Sequence, residues 1–301
     1  MKILLTGACG LVGRATLSAN AGVHQIVPFD QSEKVEAMGG VRASITDRDA
    51  VLRAAQGCHA IIHTAAMHGA FRHTAQPRQF IETNVIGTEY IFEAALAHGI
   101  RRLVLSSTLE VLCGVDWCAS GITVYDQTTP PRPDGFYPLT KLMVEEMGHY
   151  HHRCHGLEVI QLRYAYVRDE PIDQIGLGLL ARCVADVDVA DINLLAATTP
   201  GLTDHVLLVG PDTPLTLADV MAAQHDPYAV LEKHWPGSRA VLDQHQLTPH
   251  PNHFWPVCRM EPVKQLLGWK PKVTFEHWLM RLGWQPPEPP NASRPQAASA
   301  S

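Results

Sequence analysis

Thr6-Gly7-Ala8-Cys9-Gly10-Leu11-Val12-Gly13 decides the fold. The stretch follows a short apolar run at 2–5 and opens a segment of helical character over 11–21. Three glycines at three-residue spacing therefore stand at a strand–turn–helix junction. There one glycine makes the tight turn, one lets backbone amides approach a pyrophosphate, and one lets the helix pack close to the sheet. The helix N-terminus adds unpaired N–H groups and a partial positive charge, which suit phosphates. Gly7, Cys9, Gly10, Leu11, Val12 and Gly13 are thus the candidate cradle of a dinucleotide. Asp30 closes the next strand, twenty positions after Gly10, where a carboxylate accepts hydrogen bonds from ribose hydroxyls. It also repels a 2′-phosphate, which favours NAD over NADP; Arg14 is the one nearby cation that argues the other way.

Outward from this loop, strand-like and helix-like stretches alternate. Apolar runs at 2–5, 24–29, 41–45, 60–64, 102–105 and 159–162 read as strands. Helical character appears over 47–56, 80–97 and 139–152, with Gly99 suited to a left-handed cap. This order, with continuous apolar strands, predicts an α/β fold: a doubly wound parallel sheet of the Rossmann kind with helices on both faces. Residues 1–165 form the expected NAD-binding domain. Residues 166–284 read as a smaller substrate-binding part that partly returns to the sheet, with a helix over 177–197, a strand at 205–209 and a helical unit within 254–282. The Pro- and Ala/Ser-rich stretch 285–301 reads as a disordered tail.

Composition narrows the function classes. A chain of 301 residues with 46% hydrophobic and 18% charged residues can bury a sizeable core. A formal net charge of −6 argues against a protein built to coat nucleic acid or anionic lipid. No apolar run suggests a membrane span, and the start of the sequence lacks a signal-peptide pattern. Seven scattered cysteines fit free thiols, so a cytoplasmic location is expected.

Tyr137-Pro138-Leu139-Thr140-Lys141 is the second decisive element. Pro138 suits a first helical turn, and Tyr137 and Lys141, four apart, share one helix face. A phenol with an ordinary pKa near ~10 is a poor base at neutral pH, and a nearby ammonium together with the positive ring of a bound nicotinamide favours its phenolate. Ser106-Ser107-Thr108 ends the preceding strand, at the edge where such sheets bind ligands. One of these hydroxyls can hold a substrate oxygen while Tyr137 moves its proton.

Together these residues resemble the extended short-chain dehydrogenase/reductase family, also called the NAD-dependent epimerase/dehydratase family. The resemblance covers residues 1 to about 165 and continues through Asp188-Val189-Ala190 and Leu267-Gly268-Trp269-Lys270-Pro271. It implies NAD as cofactor, Thr108 as the catalytic hydroxyl, Tyr137 as the acid/base and Lys141 as its activator. It further implies that Ser44 and Ile45 lie near adenine and that Thr64, Ala65 and Ala66 follow the fourth strand beside the cofactor. Ser106 and Tyr164 would line the nicotinamide, and Asn84 would be the helix asparagine that steadies the central strands. A homodimer through the helices at 80–97 and 139–152 is implied by the family alone.

Two departures refine the reading. Where 4,6-dehydratases resemble Thr-Asp-Glu, this chain has Thr108-Leu109-Glu110, and Leu109 cannot donate a proton, so water elimination is disfavoured. The span from Leu162-Arg163-Tyr164 to Asp188 is short for a nucleotide pocket. With Arg132-Pro133-Asp134-Gly135, it resembles uronate dehydrogenase-like members. The expected reaction is NAD-dependent hydride transfer at a secondary alcohol carbon of a small, polar, sugar-like molecule. Epimerase and non-catalytic dinucleotide sensor are the alternatives. His68, Glu110, Tyr166 and Arg168 are candidate substrate contacts, and Trp117 and Tyr125 candidate pocket walls. No metal site is expected: His149 to His155 closes a helix, where cationic residues suit the C-terminus. Cys113 and Cys118 read as free thiols.

Overall fold

A computed structural model describes residues 1–113 and 124–287. Trp117, Cys118 and most of the 285–301 tail therefore lie outside the described residues. Seven strands form one parallel sheet: β1 (Lys2–Thr6), β2 (Gln25–Asp30), β3 (Val41–Arg42), β4 (Ala60–His63), β5 (Arg102–Thr108), β6 (Glu158–Tyr164) and β7 (Asp204–Val209). Their spatial order is β7-β6-β5-β4-β1-β2-β3. Connections run one way from β1 to β3 and the other way from β4 to β7, so the order reverses beside β1 and opens a crevice at the carboxyl edge.

Both faces of the sheet are dry, and side chains divide between them with the two-residue period of a strand. Ile3, Leu5, Ile62, Val104, Ile160 and Leu162 join one core; Leu4, Ile61, Leu103 and Val159 join the other. Helix α1 (Leu11–Asn20) begins at the glycine turn, and α2 (Arg48–Ala55) covers the second face, capped by Asp47 accepting from the Ala50 amide at 3.0 Å. Helix α3 joins a turn, Pro77–Phe80, to the segments Ile81–Ile86 and Gly87–Ala97. The expected helix over 80–97 thus contains a π-helical stretch, Ile81–Ile86, around the buried Asn84. Helix α4 (Phe136–His155) ends at Gly156 in the left-handed region, with His152, Arg153 and His155 in its last turn.

Beyond β6 the chain departs from expectation at one place. The run read as helix over 177–197 is split: Gly176–Leu180 is a 3-10 turn, Cys183–Ala185 is a strand, and only α5 (Asp186–Thr198) is helical. Gly176, at φ +48, turns the chain, and Cys183–Ala185 then pairs with Tyr166–Arg168. That tertiary pairing overrides the local helical pattern. Similarly, the strand expected at 41–45 shrinks to Val41–Arg42. The later motifs meet in space: the buried Asp188 carboxylate accepts the amides of Lys272 (2.7 Å) and Val273 (3.0 Å), and Trp269 Nε1 donates to the Asp188 carbonyl at 3.2 Å. Short helices at Pro227–His234 and Phe275–Arg281 extend the first core through Trp235, which meets the Phe275 ring edge-on at 4.8 Å. Among the described residues no helix is long and apolar enough to cross a membrane.

One buried ion pair ties α4 to the sheet. Arg163 on β6 donates through Nε (2.8 Å) and Nη2 (2.7 Å) to the two oxygens of Glu145, and Ser107 Oγ donates to Glu145 Oε1 at 2.6 Å. Removing one partner leaves a buried charge without compensation. Glu145→Ala is expected to lower unfolding stability by about 3–5 kcal/mol in urea titrations; a loss under about 1 kcal/mol contradicts this account.

Candidate active site

The site begins at the β1–α1 turn. Gly7 sits at φ +73, and a Cβ there would lie 2.6 Å from the Ala65 amide nitrogen and 2.7 Å from Thr64 Oγ1. A Cβ on Gly13 would lie 2.1 Å from the Gly7 carbonyl oxygen, so this glycine is fixed by the close seat of α1 on the turn. Gly10 caps α1 with no side-chain hydrogen bond, which leaves the first-turn amides for an incoming anion. At the other end of the crevice, Asp30 Oδ2 accepts the Cys9 amide and Oδ1 accepts the Ser32 amide, both at 2.9 Å. Each carboxylate oxygen retains a further acceptor site. Asp30, Ser44, Ile45 and Ala65 border a hollow of about 370 Å³ there, and the backbone donors hold the carboxylate in place.

That hollow shares Gly10, Thr64 and Ala66 with a second cavity of about 410 Å³. The second cavity brings together Leu11, Val12, Ser106, Thr108, Tyr137, Lys141 and Tyr164. His68, Glu110 and Tyr166 also line it. The two joined hollows suit a dinucleotide: Asp30 would hold its ribose end, the α1 N-terminus its pyrophosphate, and the cavity beside Tyr137 its nicotinamide.

Tyr137 and Lys141 project from α4 onto this cavity because Pro138 is accommodated in the helix's first turn, where its missing N–H costs nothing. Lys141 is buried and its Nζ donates to the Ser106 carbonyl at 2.8 Å; burial lowers its pKa to about 8, against the pull of Glu145. The Tyr137 phenol and the Thr108 side chain line the same cavity, and Thr108 favours the charged form of the phenol. Burial, and then the Glu110 carboxylate, push the phenol's pKa upward, while Thr108 and Arg72 oppose them. Lys141 was expected to draw that pKa down; among the protein's own groups, desolvation wins, and the ammonium is engaged with Ser106. The His68 ring tilts against the Tyr137 ring at 5.1 Å.

Other expected contacts stand behind the cavity. Asn84 is buried: its amide exchanges hydrogen bonds with the Met67 backbone (2.7 and 3.1 Å) and donates to Thr140 Oγ1 at 2.9 Å. Thr140 Oγ1 donates to the Tyr137 carbonyl, so Asn84 links the loop after β4 to the turn that carries the phenol. Cys9 and Gly13 lie outside the lining of both hollows; one supplies its amide to Asp30 and the other closes packing. The Tyr164 hydroxyl donates to Asn193 Oδ1 at 2.7 Å. Arg168 is turned away: its Nε and Nη2 bind Glu170, and its guanidinium lies over the Tyr166 ring. Tyr125 packs on Trp255 and is buried away from the cavity lining. His149 pairs with Asp204 and His152 with the Leu157 carbonyl, so the histidine run serves separate local contacts. Burial pushes the Cys113 thiol's pKa upward.

Sequence reasoning missed Arg72. Its Nη2 lies 3.3 and 3.5 Å from the Glu110 oxygens, and its Nε donates to the Gly69 carbonyl at 2.8 Å beside the Tyr137 ring. The pair is 38 positions apart, and nothing local in the sequence announces it.

Fold and site together define a dinucleotide-dependent enzyme built on a parallel Rossmann-type sheet. Residues 3–168 match the NAD dependent epimerase/dehydratase family, and the chain belongs to it. The L-arabinose 1-dehydrogenase (NAD(P)(+)) of Haloferax volcanii is 34% identical over 174 residues, which are 55% of this chain and 67% of that protein. The uronate dehydrogenase of Pseudomonas syringae pv. tomato is 30% identical over 178 residues, 56% of this chain and 61% of that protein. The matched stretches thus span about two thirds of these relatives' length. A short-chain dehydrogenase/reductase superfamily protein from Agrobacterium tumefaciens, solved with bound NAD, has a TM-score of 0.70 at 22% identity, covering 94% of this chain and 96% of that one. A mutated uronate dehydrogenase has a TM-score of 0.67 at 19% identity, covering 97% and 89%. NAD is the cofactor of the family.

Asp30→Ala is expected to weaken NAD binding about tenfold and to narrow its advantage over NADP, since one charged hydrogen-bond partner is lost. Titrating both cofactors checks this; an unchanged preference contradicts it.

Proposed function

We propose that the chain is an NAD-dependent dehydrogenase that oxidises a secondary alcohol carbon of a small, polar, sugar-like molecule. One observation carries the reading: Thr108, Tyr137 and Lys141 converge on a single cavity that also reaches the N-terminus of α1. NAD, when bound, supplies the acceptor for the hydride that the carbinol carbon gives up. Tyr137 takes the hydroxyl proton, Thr108 holds the same oxygen, and Lys141, fixed on Ser106, sets a positive charge nearby. Residues 1–165 serve as the cofactor-binding domain, and 166–284 complete the substrate side through Tyr166. A cavity of about 410 Å³ that also takes the nicotinamide end suits a monosaccharide better than a nucleotide sugar.

Tyr137 must release its proton before it can accept another, and its pKa is held high, so the deprotonated form grows as pH rises. Oxidation is therefore expected to climb from neutral into alkaline pH in steady-state assays. Tyr137→Phe is expected to lower kcat by at least about 1000-fold while NAD affinity changes less than about threefold. Retained turnover in that variant sinks the mechanism. Bound NAD with no net change in nicotinamide absorbance, but with substrate inverted, is the epimerase outcome.

The chain is further proposed to act as a homodimer in a reducing cytoplasm. Val85, Leu139, Leu142, Met143 and Tyr150 border an apolar hollow of about 540 Å³ on the outer face of α3 and α4. Among the described residues no cysteine forms a disulfide. Light scattering is expected to show a dimer, and Met143→Asp, which buries a charge in that face, a folded monomer. A monomeric wild type removes the proposal.

A further inference from the structure

The reactive cavity has an uneven charge inventory. Among the described residues, the acidic and basic side chains that line it are Glu110 and Lys141. Lys141 is committed, its buried ammonium donating to the Ser106 carbonyl at 2.8 Å. The Glu110 side chain is 14% exposed, and Arg72 meets it by one nitrogen at 3.3 and 3.5 Å. Those long contacts leave acceptor sites on both oxygens. Arg72 borders a neighbouring hollow with Asp134, Phe136 and Tyr137, and Tyr137 is shared with the reactive cavity, whose lining does not include Arg72. Within the lining of the reactive cavity, the carboxylate that an entering molecule meets is Glu110, paired with Arg72. The second guanidinium nearby, Arg168, is held by Glu170.

The remaining polar lining is neutral. Thr108, Tyr137 and Tyr166 offer hydroxyls. His68 Nδ1 accepts the Ala70 amide at 3.1 Å, which assigns the ring proton to Nε2 as a donor. Burial raises the Glu110 pKa, and Arg72 opposes that rise.

We propose that Glu110, held by Arg72, is the specificity-determining group of this site: it accepts hydrogen bonds from hydroxyls of a neutral sugar and excludes anionic sugars such as uronates and sugar phosphates. The proposal rests on the dehydrogenase reading for the cavity's role. A carboxylate is acceptor-only, and sugar hydroxyls are donors, so an uncharged polyol satisfies it. A carboxylate or phosphate placed on the substrate against Glu110 would instead bring like charges together in a partly dry site, since the Lys141 ammonium is held at Ser106 and Arg72 is already paired with Glu110. Arg72 acts as a positioning residue through Glu110.

The test compares D-galactose with D-galacturonate, which differ only in the oxidation state of one terminal carbon. Wild-type enzyme with NAD is expected to show a kcat/KM at least about 100-fold higher for galactose, the scale of like-charge repulsion in a partly buried site. Glu110→Gln keeps the shape and one acceptor but removes the charge, and should contract that ratio below about tenfold. Arg72→Met should raise the galactose KM about tenfold, with a smaller change in kcat and none in NAD affinity. Calorimetry on the NAD complex of Tyr137→Phe reads binding without turnover, and should detect galactose and not galacturonate. Equal or better use of galacturonate by wild type, an unmoved ratio in Glu110→Gln, or no binding of galactose overturns the proposal. Galactose bound by Tyr137→Phe but left unoxidised by wild type would overturn the dehydrogenase reading and leave the charge selection standing.

Discussion

The site depends on how α4 is fastened to the carboxyl edge of the sheet. Three buried polar links do this. Lys141 reaches the Ser106 carbonyl, Glu145 takes both the Arg163 guanidinium and the Ser107 hydroxyl, and Thr140 joins Asn84. Each link satisfies a polar group that would be costly to leave alone in a dry interior. Together they fix the register of the helix against β5 and β6, and so fix where the Tyr137 phenol stands. A helix held only by apolar packing would keep its place less strictly, because hydrophobic contact is not directional. The place of the Tyr137 side chain thus follows from satisfying buried polar groups.

The same economy appears at the cofactor end. Gly7 and Gly13 let three backbones come within a distance that no Cβ tolerates, and the α1 N-terminus is left without a side-chain cap. The carboxylate of Asp30 is held by the Cys9 amide from that same turn, so one loop sets both the α1 N-terminus and the acidic end of the crevice. The sheet order then brings β1 and β4 side by side, and the crevice between them joins the two hollows through Gly10, Thr64 and Ala66.

Much of this was legible in the sequence because it is local. The glycine spacing, Asp30 at the end of β2, and the four-residue step from Tyr137 to Lys141 each express one turn or one strand end. What was hidden is long-range. Glu145 and Arg163 lie 18 positions apart on different elements, and Arg72 and Glu110 lie 38 apart, with no periodicity to pair them. The π-helical stretch around Asn84 and the strand Cys183–Ala185 also escaped, because each is imposed by a tertiary partner: the Met67 backbone and Thr140 in one case, Tyr166–Arg168 in the other. Arg168 looked available as a cation only because Glu170, two residues on, was not read as its partner.

A crystal structure of the NAD complex tests the central claim most directly. The account predicts the pyrophosphate on the first-turn amides of α1, the adenosine ribose on Asp30, and the nicotinamide ring in the cavity within reach of the Tyr137 hydroxyl. A dinucleotide bound elsewhere, or one whose nicotinamide lies far from Tyr137 and Thr108, would contradict the assignment of this chain as a redox catalyst.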